Sequence, residues 1–139
     1  MWCLCNIASG FKGLVWGLID NMALPTLKTL LFAQDTSQQV LELVIWCYGN
    51  IAGETAEVRD DNVLGQGVVG PIIEALRKSE NGSSFMRNTT WCLASFLKGN
   101  PPPHIKHSGP IVKALVDTLL VTDTELILSD ILGGLSIFS

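Results

Sequence analysis

The sequence has few charged residues, and its basic residues form no cluster. Charged residues make up 16% of the chain and its net charge is −4. A soluble domain usually has about a quarter of its residues charged. Because nucleic-acid binding needs a concentrated positive surface, this composition argues against nucleic acid as a partner and favours a basic one. Hydrophobic residues reach 47%, so the fold must cover much apolar surface.

The chain also has no recognisable catalytic set. It contains no Ser/His/Asp combination, paired-carboxylate cleft or phosphate-binding loop, so we expect neither an enzyme nor a cofactor. His104 and His107 are three residues apart, a spacing that suits a metal ion on a helix. No third ligand lies near them in sequence, so we expect no metal site.

The apolar stretch of residues 1–19 lacks the marks of a targeting or membrane segment. It has no basic region at its start, it carries Lys12 in its middle, and it holds Gly10, Gly13 and Gly17. A signal peptide or a membrane span would need a basic start or an unbroken apolar run. We therefore predict a buried helix, a glycine-containing break and the start of another helix, with no membrane partner.

A tryptophan–cysteine pair occurs three times, and it defines a repeat. Trp2, Trp46 and Trp91 are 44 and 45 residues apart, and each is followed by cysteine. Asn6 and Asn50 follow the first two tryptophans by four residues, and the third unit has Ser95 in that place. A spacing of four puts both side chains on one helix face, and a period of roughly 40–47 residues is typical of helical solenoids. The repeat therefore predicts a ladder of Trp and Asn side chains, which is the candidate site.

Each unit is predicted to contain a helix that begins near a proline, a polar turn, and a third helix that carries the tryptophan. Proline costs little in the first helical turn, where its missing N–H would be unpaired. Ser, Asp and Thr in the polar turns are natural N-caps. The second helices are predicted to begin around 23–25, 69–71 and 108–110, and the third helices to cover 40–52, 86–97 and 126–137. Short first helices are predicted around 57–64 and 103–107.

The pattern predicts an all-α solenoid of about three repeats with a partial first repeat. We expect residues 1–12 to form the last helix of a truncated repeat, followed by repeats over 13–54, 55–99 and 100–139. Leu132 occupies the tryptophan's place in the last unit. Because no polar helix follows the last repeat, we expect the chain to be an internal slice of a longer array, or one that covers its ends by self-association.

The four cysteines are expected to be reduced and packed. Cys3, Cys47 and Cys92 occupy the same repeat position, so they should lie a repeat apart and not converge. Cys5 should lie on a different part of the first helix. Free thiols fit a cytosolic or nuclear compartment.

Four sequence segments give the chain a resemblance to a known family. They are the Trp-Cys-Leu-Cys-Asn-Ile-Ala-Ser-Gly of 2–10, the Trp-Cys-Tyr-Gly-Asn-Ile-Ala-Gly-Glu of 46–54, the Arg-Asn-Thr-Thr-Trp of 87–91 and the Gly-Asn-Pro-Pro-Pro of 99–103. In this order the chain resembles the second to fifth armadillo repeats of importin alpha, the adaptor that carries proteins with nuclear localisation signals into the nucleus. The resemblance implies a right-handed armadillo solenoid and cytoplasmic and nuclear localisation.

The resemblance also implies roles for the ladder residues. Indoles a repeat apart would form slots for the stems of lysines, and asparagines would hold the backbone of an extended Lys/Arg-rich signal peptide. The residues implied in peptide binding are Trp2, Asn6, Gly10, Trp46, Asn50, Glu54, Trp91 and Ser95. Glu54 would face the most demanding lysine, where the family usually has aspartate, and Gly10 would offer that lysine its carbonyl. Val15 stands where the family has a threonine.

Two functions from different classes remain open from the sequence. The first is an import adaptor, or a fragment of one, that binds basic signal peptides in its groove. Importin beta would then bind only through a basic N-terminal arm, which these residues lack. The second is a structural armadillo module or degenerate paralogue that associates with itself through open repeat ends. The first predicts indoles on an exposed concave face, and the second predicts buried indoles and concentration-dependent oligomers.

Overall fold

The computed structural model of the chain describes residues 2–10 and 13–138, and within these ranges all regular structure is helical. The α-helices are α1 Trp2–Ala8, α2 Leu14–Asp20, α3 Ala23–Phe32, α4 Gln38–Ala52, α5 Val69–Arg77, α6 Ser84–Leu97, α7 Ile105–Leu119 and α8 Glu125–Leu135. A π-helical turn at Val58–Val63 and a 3-10 turn at Leu64–Gln66 precede α5, and a 3-10 turn at Ser136–Phe138 follows α8. None of these helices is both long enough and apolar enough to span a bilayer.

The helices stack in two rows, as a solenoid requires. In one row α1 packs on α4, α4 on α6 and α6 on α8, while α3, α5 and α7 follow one another in the second row. Each helix of the second row also packs on the next helix of the first, and the core lies between them. Leu27, Ile45, Ile72, Leu93 and Ile111 are fully buried there. The all-α solenoid predicted from the repeat is confirmed.

Serine caps start the two central helices of the first row. Ser37 accepts a hydrogen bond on Oγ from the backbone N–H of Val40 at 3.4 Å, and Ser83 accepts one from Met86 at 3.1 Å. Such a cap satisfies one of the backbone donors that a helix start leaves unpaired. These helices therefore begin two residues earlier than the apolar pattern alone suggested.

The last unit departs from the predicted division into short first and second helices. Residues 105–119 form one continuous helix, α7, with Pro110 inside it. His104 caps the start, accepting on Nδ1 from the N–H of Lys106 at 3.1 Å. Inside a helix, proline removes the hydrogen bond to the carbonyl four residues before it, and its ring crowds that carbonyl. Ile111 and Leu115, both fully buried, hold the remainder of the helix on the core, and so the chain does not break at the proline.

The short first helix predicted around 57–64 in the middle unit is present, with Val58–Val63 π-helical and Leu64–Gln66 3-10. The turn is π-helical, and it carries Arg59, which is fully buried. The guanidinium donates to the carbonyls of Lys98 at 2.6 Å and Pro101 at 2.8 Å, and to the carboxylate of Asp60 at 2.7 and 3.0 Å. Arg59 therefore fixes the chain that leaves α6.

Candidate functional site

Two of the three ladder tryptophans lie on neighbouring helices and share a slot. Trp46 on α4 and Trp91 on α6 are both half-buried. The two side chains line a cavity of about 350 Å³ together with Arg87, Asn88 and Asp130. Trp2 lies on α1, the preceding helix of the same row, and is 65% exposed. The structure therefore carries the tryptophans on successive helices of one row.

The slot depends on a glycine that lets the second indole approach α4. Gly49 is fully helical and buried, and a Cβ atom there would lie 3.1 Å from both Cε3 and Cη2 of Trp91 and closer still to Cζ3. Such distances are shorter than van der Waals contact, so a side chain larger than hydrogen would have to displace the indole. Gly49 thus sets how close Trp91 lies to the helix of Trp46.

The polar members of the predicted ladder differ in exposure. Asn6 is exposed, whereas Asn50 is half-buried and its Nδ2 has no hydrogen-bond partner within the described part of the chain. That nitrogen is itself shielded from solvent, so the unmade hydrogen bond is a cost that the fold carries. Ser95, which stands where the third asparagine would be, is only 7% exposed. Ser95 is therefore buried, and among the predicted site residues it is the one least able to reach a ligand.

The carboxylate of Glu54 is tied to the chain that follows α1. Glu54 is half-buried, and its Oε1 accepts a hydrogen bond from the backbone N–H of Gly13 at 3.1 Å. Gly10 is exposed, and its N–H donates to the carbonyl of Ile7 at 3.1 Å as α1 ends. Val15, on α2, is 2% exposed and belongs to the core. The structure thus leaves Gly10 and Glu54 accessible at the α1–α4 side of the row, while Val15 offers nothing to a ligand.

Sequence reasoning missed four charged or polar residues at the slot. Asn88 donates from Nδ2 to Oε1 of Glu42 at 2.5 Å, which joins α6 to α4. Arg87 and Asp130 line the cavity from α6 and α8. Burial raises the pKa of Asp130, and the cations of Arg87 and Lys98 oppose that rise. The signal was present, because Glu42, Arg87 and Asn88 each precede a ladder tryptophan by three or four residues and so share its helix face.

The ladder does not continue as an indole onto the last helix. A Cβ atom at Gly134 would lie 2.8 Å from Cβ of Ala94, and Ala94 follows Trp91 by three residues as Gly49 follows Trp46. On α8, therefore, a glycine contacts α6, whereas on α6 an indole contacts α4 at the corresponding place. Leu132, which the sequence placed at the matching position, is 58% exposed. The slot between Trp46 and Trp91 is consequently the last one with two aromatic walls in the described residues.

Comparison with known proteins finds relatives of this row of helices. No protein-family model matches the chain. Importin subunit alpha-2 of Arabidopsis thaliana is 37% identical over 138 residues, which cover 99% of this chain and 25% of that protein. Importin subunit alpha-1b of Oryza sativa subsp. japonica is 33% identical over the same shares of both chains. The chain is homologous to importin alpha subunits. It spans about a quarter of the length of the curated relatives it matches.

Solved armadillo structures share the fold of this importin alpha homologue. The designed armadillo repeat protein YIII(Dq)4CqI matches with a TM-score of 0.81 at 22% identity, over 98% of this chain and 55% of that one. The designed armadillo repeat protein YIII(Dq.V1)4CPAF, solved in complex with the peptide (KR)4, matches with a TM-score of 0.78 at 24% identity, over 99% and 56%. At these identities the likeness establishes the armadillo fold and nothing further.

The cysteines of the importin alpha homologue lie differently from expectation. Cys3 is exposed, whereas Cys47 and Cys92 are fully buried. The sequence had suggested one shared position, but α1 packs on α4 and α2 and neither covers Cys3. Cys5 donates from Sγ to the carbonyl of Leu43 at 3.0 Å. A hydrogen bond between the thiols of Cys5 and Cys47 lowers the pKa of Cys5 and raises that of Cys47. Cys5 and Cys47 are therefore in contact across the helix pair, as free thiols.

The histidine-containing surface offers no metal cluster. His104 and His107 line a cavity of about 390 Å³ with Asp60, Asp61 and Lys106. Within the described ranges no group of three or more His, Cys, Asp or Glu side chains could hold a metal ion. Burial lowers the pKa of His107, and the Lys106 ammonium lowers it further. This region therefore contributes no ligand set to the candidate site.

Proposed function

We propose that the row α1, α4 and α6 binds extended Lys/Arg-rich peptides, as the cargo-recognition part of a nuclear-import adaptor. The observation that carries the proposal is the slot between Trp46 and Trp91, with carboxylates beside it. Homology to importin alpha subunits supports the class of ligand, because those relatives are named as import factors. The proposed localisation is accordingly cytoplasmic and nuclear, and the role is that of an adaptor, not an enzyme.

The slot has the chemistry that a lysine or arginine stem needs. Two indole walls bury the methylene groups, and the ring faces attract a cation within about 6 Å of their centres. The complex of a designed armadillo repeat protein with the peptide (KR)4 is an example of this fold binding a basic peptide. The aromatic walls of this chain support binding of such a peptide on its own row of helices.

The charges around the row favour a basic ligand. Glu42 and Asp130 lie at the slot and Glu54 lies at the α1–α4 side, whereas Arg87 is the cation at the cavity. Burial increases the influence of each carboxylate because the surrounding medium screens it less than water does. Asn50, half-buried on α4, adds a carboxamide whose acceptor and donor suit a peptide backbone. Together these groups support a site that holds the backbone and selects cationic side chains.

A titration tests the proposed function. A fluorescent peptide of alternating lysine and arginine is titrated with the wild-type chain at two salt concentrations, beside the Trp46→Ala/Asn50→Ala variant. Trp16→Ala is the matched control, because Trp16 is a partly exposed indole on α2. Saturable binding that weakens with salt, is retained by Trp16→Ala and is lost by the folded double variant is expected. Absence of binding by folded wild-type chain contradicts the proposal.

A second candidate function rests on the apolar surface at the last layer. Leu120 is 78% exposed, Val121 67% and Leu126 52%, and neighbouring exposed apolar side chains mark association sites more often than isolated ones do. This surface supports a module that stacks on another armadillo repeat or on a second copy. Sedimentation velocity across a concentration series separates the two candidates, since self-association predicts a rising sedimentation coefficient that Leu120→Lys abolishes.

A further inference from the structure

The bond between Gly13 and Glu54 links two parts of the molecule that are far apart in sequence. The N–H of Gly13 comes from the start of α2, and the carboxylate follows the end of α4. Among the described residues, Gly13 is the donor recorded for that carboxylate. An ionised carboxylate has two oxygens and about four acceptor positions, so this bond leaves Oε2 for a second donor.

Gly13 can make this bond because of its backbone conformation. Its φ is 97° and its ψ is −20°, in the left-handed region that L-residues with a Cβ disfavour. A Cβ atom at Gly13 would meet nothing within 4 Å. The space would accept a larger residue, and the requirement for glycine is therefore conformational. Turning φ to negative values would aim the N–H away from Glu54.

We propose that Gly13 is a positioning residue that orients Glu54 for the cationic side chain of the bound peptide. The inference rests on the proposed peptide-binding function and names the residue that sets its lysine selectivity. A glutamate has one more rotatable bond than an aspartate, so its carboxylate loses more freedom when it meets a ligand. The Gly13 N–H removes part of that freedom before the peptide arrives, which is the advantage of a preorganised site.

The test compares variants of Gly13 with variants of the ligand. Gly13→Ala should weaken binding of the Lys/Arg peptide by about threefold to tenfold, the equivalent of one net hydrogen bond. Gly13→Asn should recover most of the affinity, because asparagine tolerates the left-handed region better than other residues. Peptides in which each lysine in turn is replaced by norleucine identify the lysine that faces Glu54. For that norleucine peptide, Gly13→Ala should change the affinity little.

A double-mutant cycle separates positioning from a structural effect. In the Glu54→Gln background, where the charge is already absent, Gly13→Ala should have a much smaller effect than in the wild-type background. Equal losses in both backgrounds, or equal losses for lysine and norleucine peptides, would overturn the inference. Binding by wild type that depends on Glu54 but not on Gly13 overturns only the positioning role. A folded wild-type chain that binds no peptide overturns the proposed function itself.

Discussion

The substitution Gly49→Ala tests whether the close approach of Trp91 to α4 builds the slot. Two effects oppose each other. Alanine favours a helix interior over glycine by about 0.5–1 kcal/mol. The new methyl group would lie 3.1 Å from Cε3 and Cη2 of Trp91, and overpacking of this kind costs about 1–3 kcal/mol. The balance is a net destabilisation of roughly 1 kcal/mol.

Gly133→Ala is the matched control for this prediction. Gly133 is also inside a helix, and a Cβ atom there would meet nothing within 4 Å. The same change of residue should therefore stabilise the chain by about 0.5–1 kcal/mol. The assay is urea unfolding monitored by far-ultraviolet circular dichroism. The free energies of unfolding of the two variants should differ by about 2 kcal/mol, with Gly49→Ala the less stable.

The indole has a second way to respond, and the experiment detects it. If Trp91 swings away from α4, part of the strain disappears, but the slot loses one wall. The peptide affinity and the indole fluorescence spectrum should then both change in Gly49→Ala and remain unaltered in Gly133→Ala. A Gly49→Ala chain that is as stable as Gly133→Ala, with unchanged fluorescence and unchanged peptide binding, would refute the assigned role of the glycine.

Four further predictions concern the rest of the molecule. Gly134→Ala should lower the free energy of unfolding by about 1 kcal/mol in urea, because its Cβ would lie 2.8 Å from that of Ala94. Arg59→Met should lower it by about 2 kcal/mol or more in the same assay, since it removes the bonds from the buried guanidinium to the carbonyls of Lys98 and Pro101. With a thiol-reactive disulfide reagent, Cys3 should react in the native chain and Cys92 only after unfolding, because Cys92 is buried and its pKa raised. Burial raises the pKa of Asp130 in the fold, so ionisation of this carboxyl destabilises the wild-type chain as the pH rises. The free energy of unfolding of Asp130→Asn, measured in urea and compared with that of wild type, should therefore increase between pH 4 and pH 7.

The periodic parts of the fold were predictable because they depend on local chemistry. Apolar spacing, the prolines near 25 and 71 and the serine caps at 37 and 83 act within one or two helical turns. The structure has helices beginning at Ala23, Gln38, Val69 and Ser84. The Trp-Cys repeat then fixed how these helices are ordered along the solenoid, since each repeat contacts its neighbours.

The departures have non-local causes. Arg59 donates hydrogen bonds to carbonyls 39 and 42 residues away in sequence. The sequence around residue 59 contains no pattern that predicts those partners. Pro110 looks like a helix start, but the burial of Ile111 and Leu115 keeps the helix continuous through it. In each case a tertiary contact outweighs a local preference, which is the ordinary limit of sequence reasoning.

The aromatic residues of the candidate site were predictable from the sequence, whereas the prediction of its polar residues was incomplete. The indoles recur at one position of each repeat, so their spacing identifies them. Glu42 and Asn88, which bond to each other, do not recur at matching positions in the other repeats. A contact between unlike residues on neighbouring repeats leaves no period to detect. Ser95 shows the converse, because it fits the period but is buried. Periodicity therefore identifies positions on the row of helices, and only packing decides which of them a ligand can reach.

The end of the aromatic ladder bears on which cargo the chain could hold. Each two-walled slot needs indoles on adjacent helices, and the described residues offer Trp46 with Trp91 as the half-buried pair, preceded by the exposed Trp2. On the α8 side Gly134 faces α6, so a peptide residue beyond Trp91 would meet Asp130 without a second indole. At the Trp46–Trp91 slot, a peptide cation should therefore be recognised by both stacking and charge. At the next position it should be recognised by charge alone, with lower selectivity. A peptide array that replaces each arginine by citrulline, which keeps the planar head and removes the charge, and each lysine by norleucine, which keeps the stem and removes the charge, would measure this gradient. Equal losses at every position would indicate that charge alone governs recognition and that the indole walls contribute little.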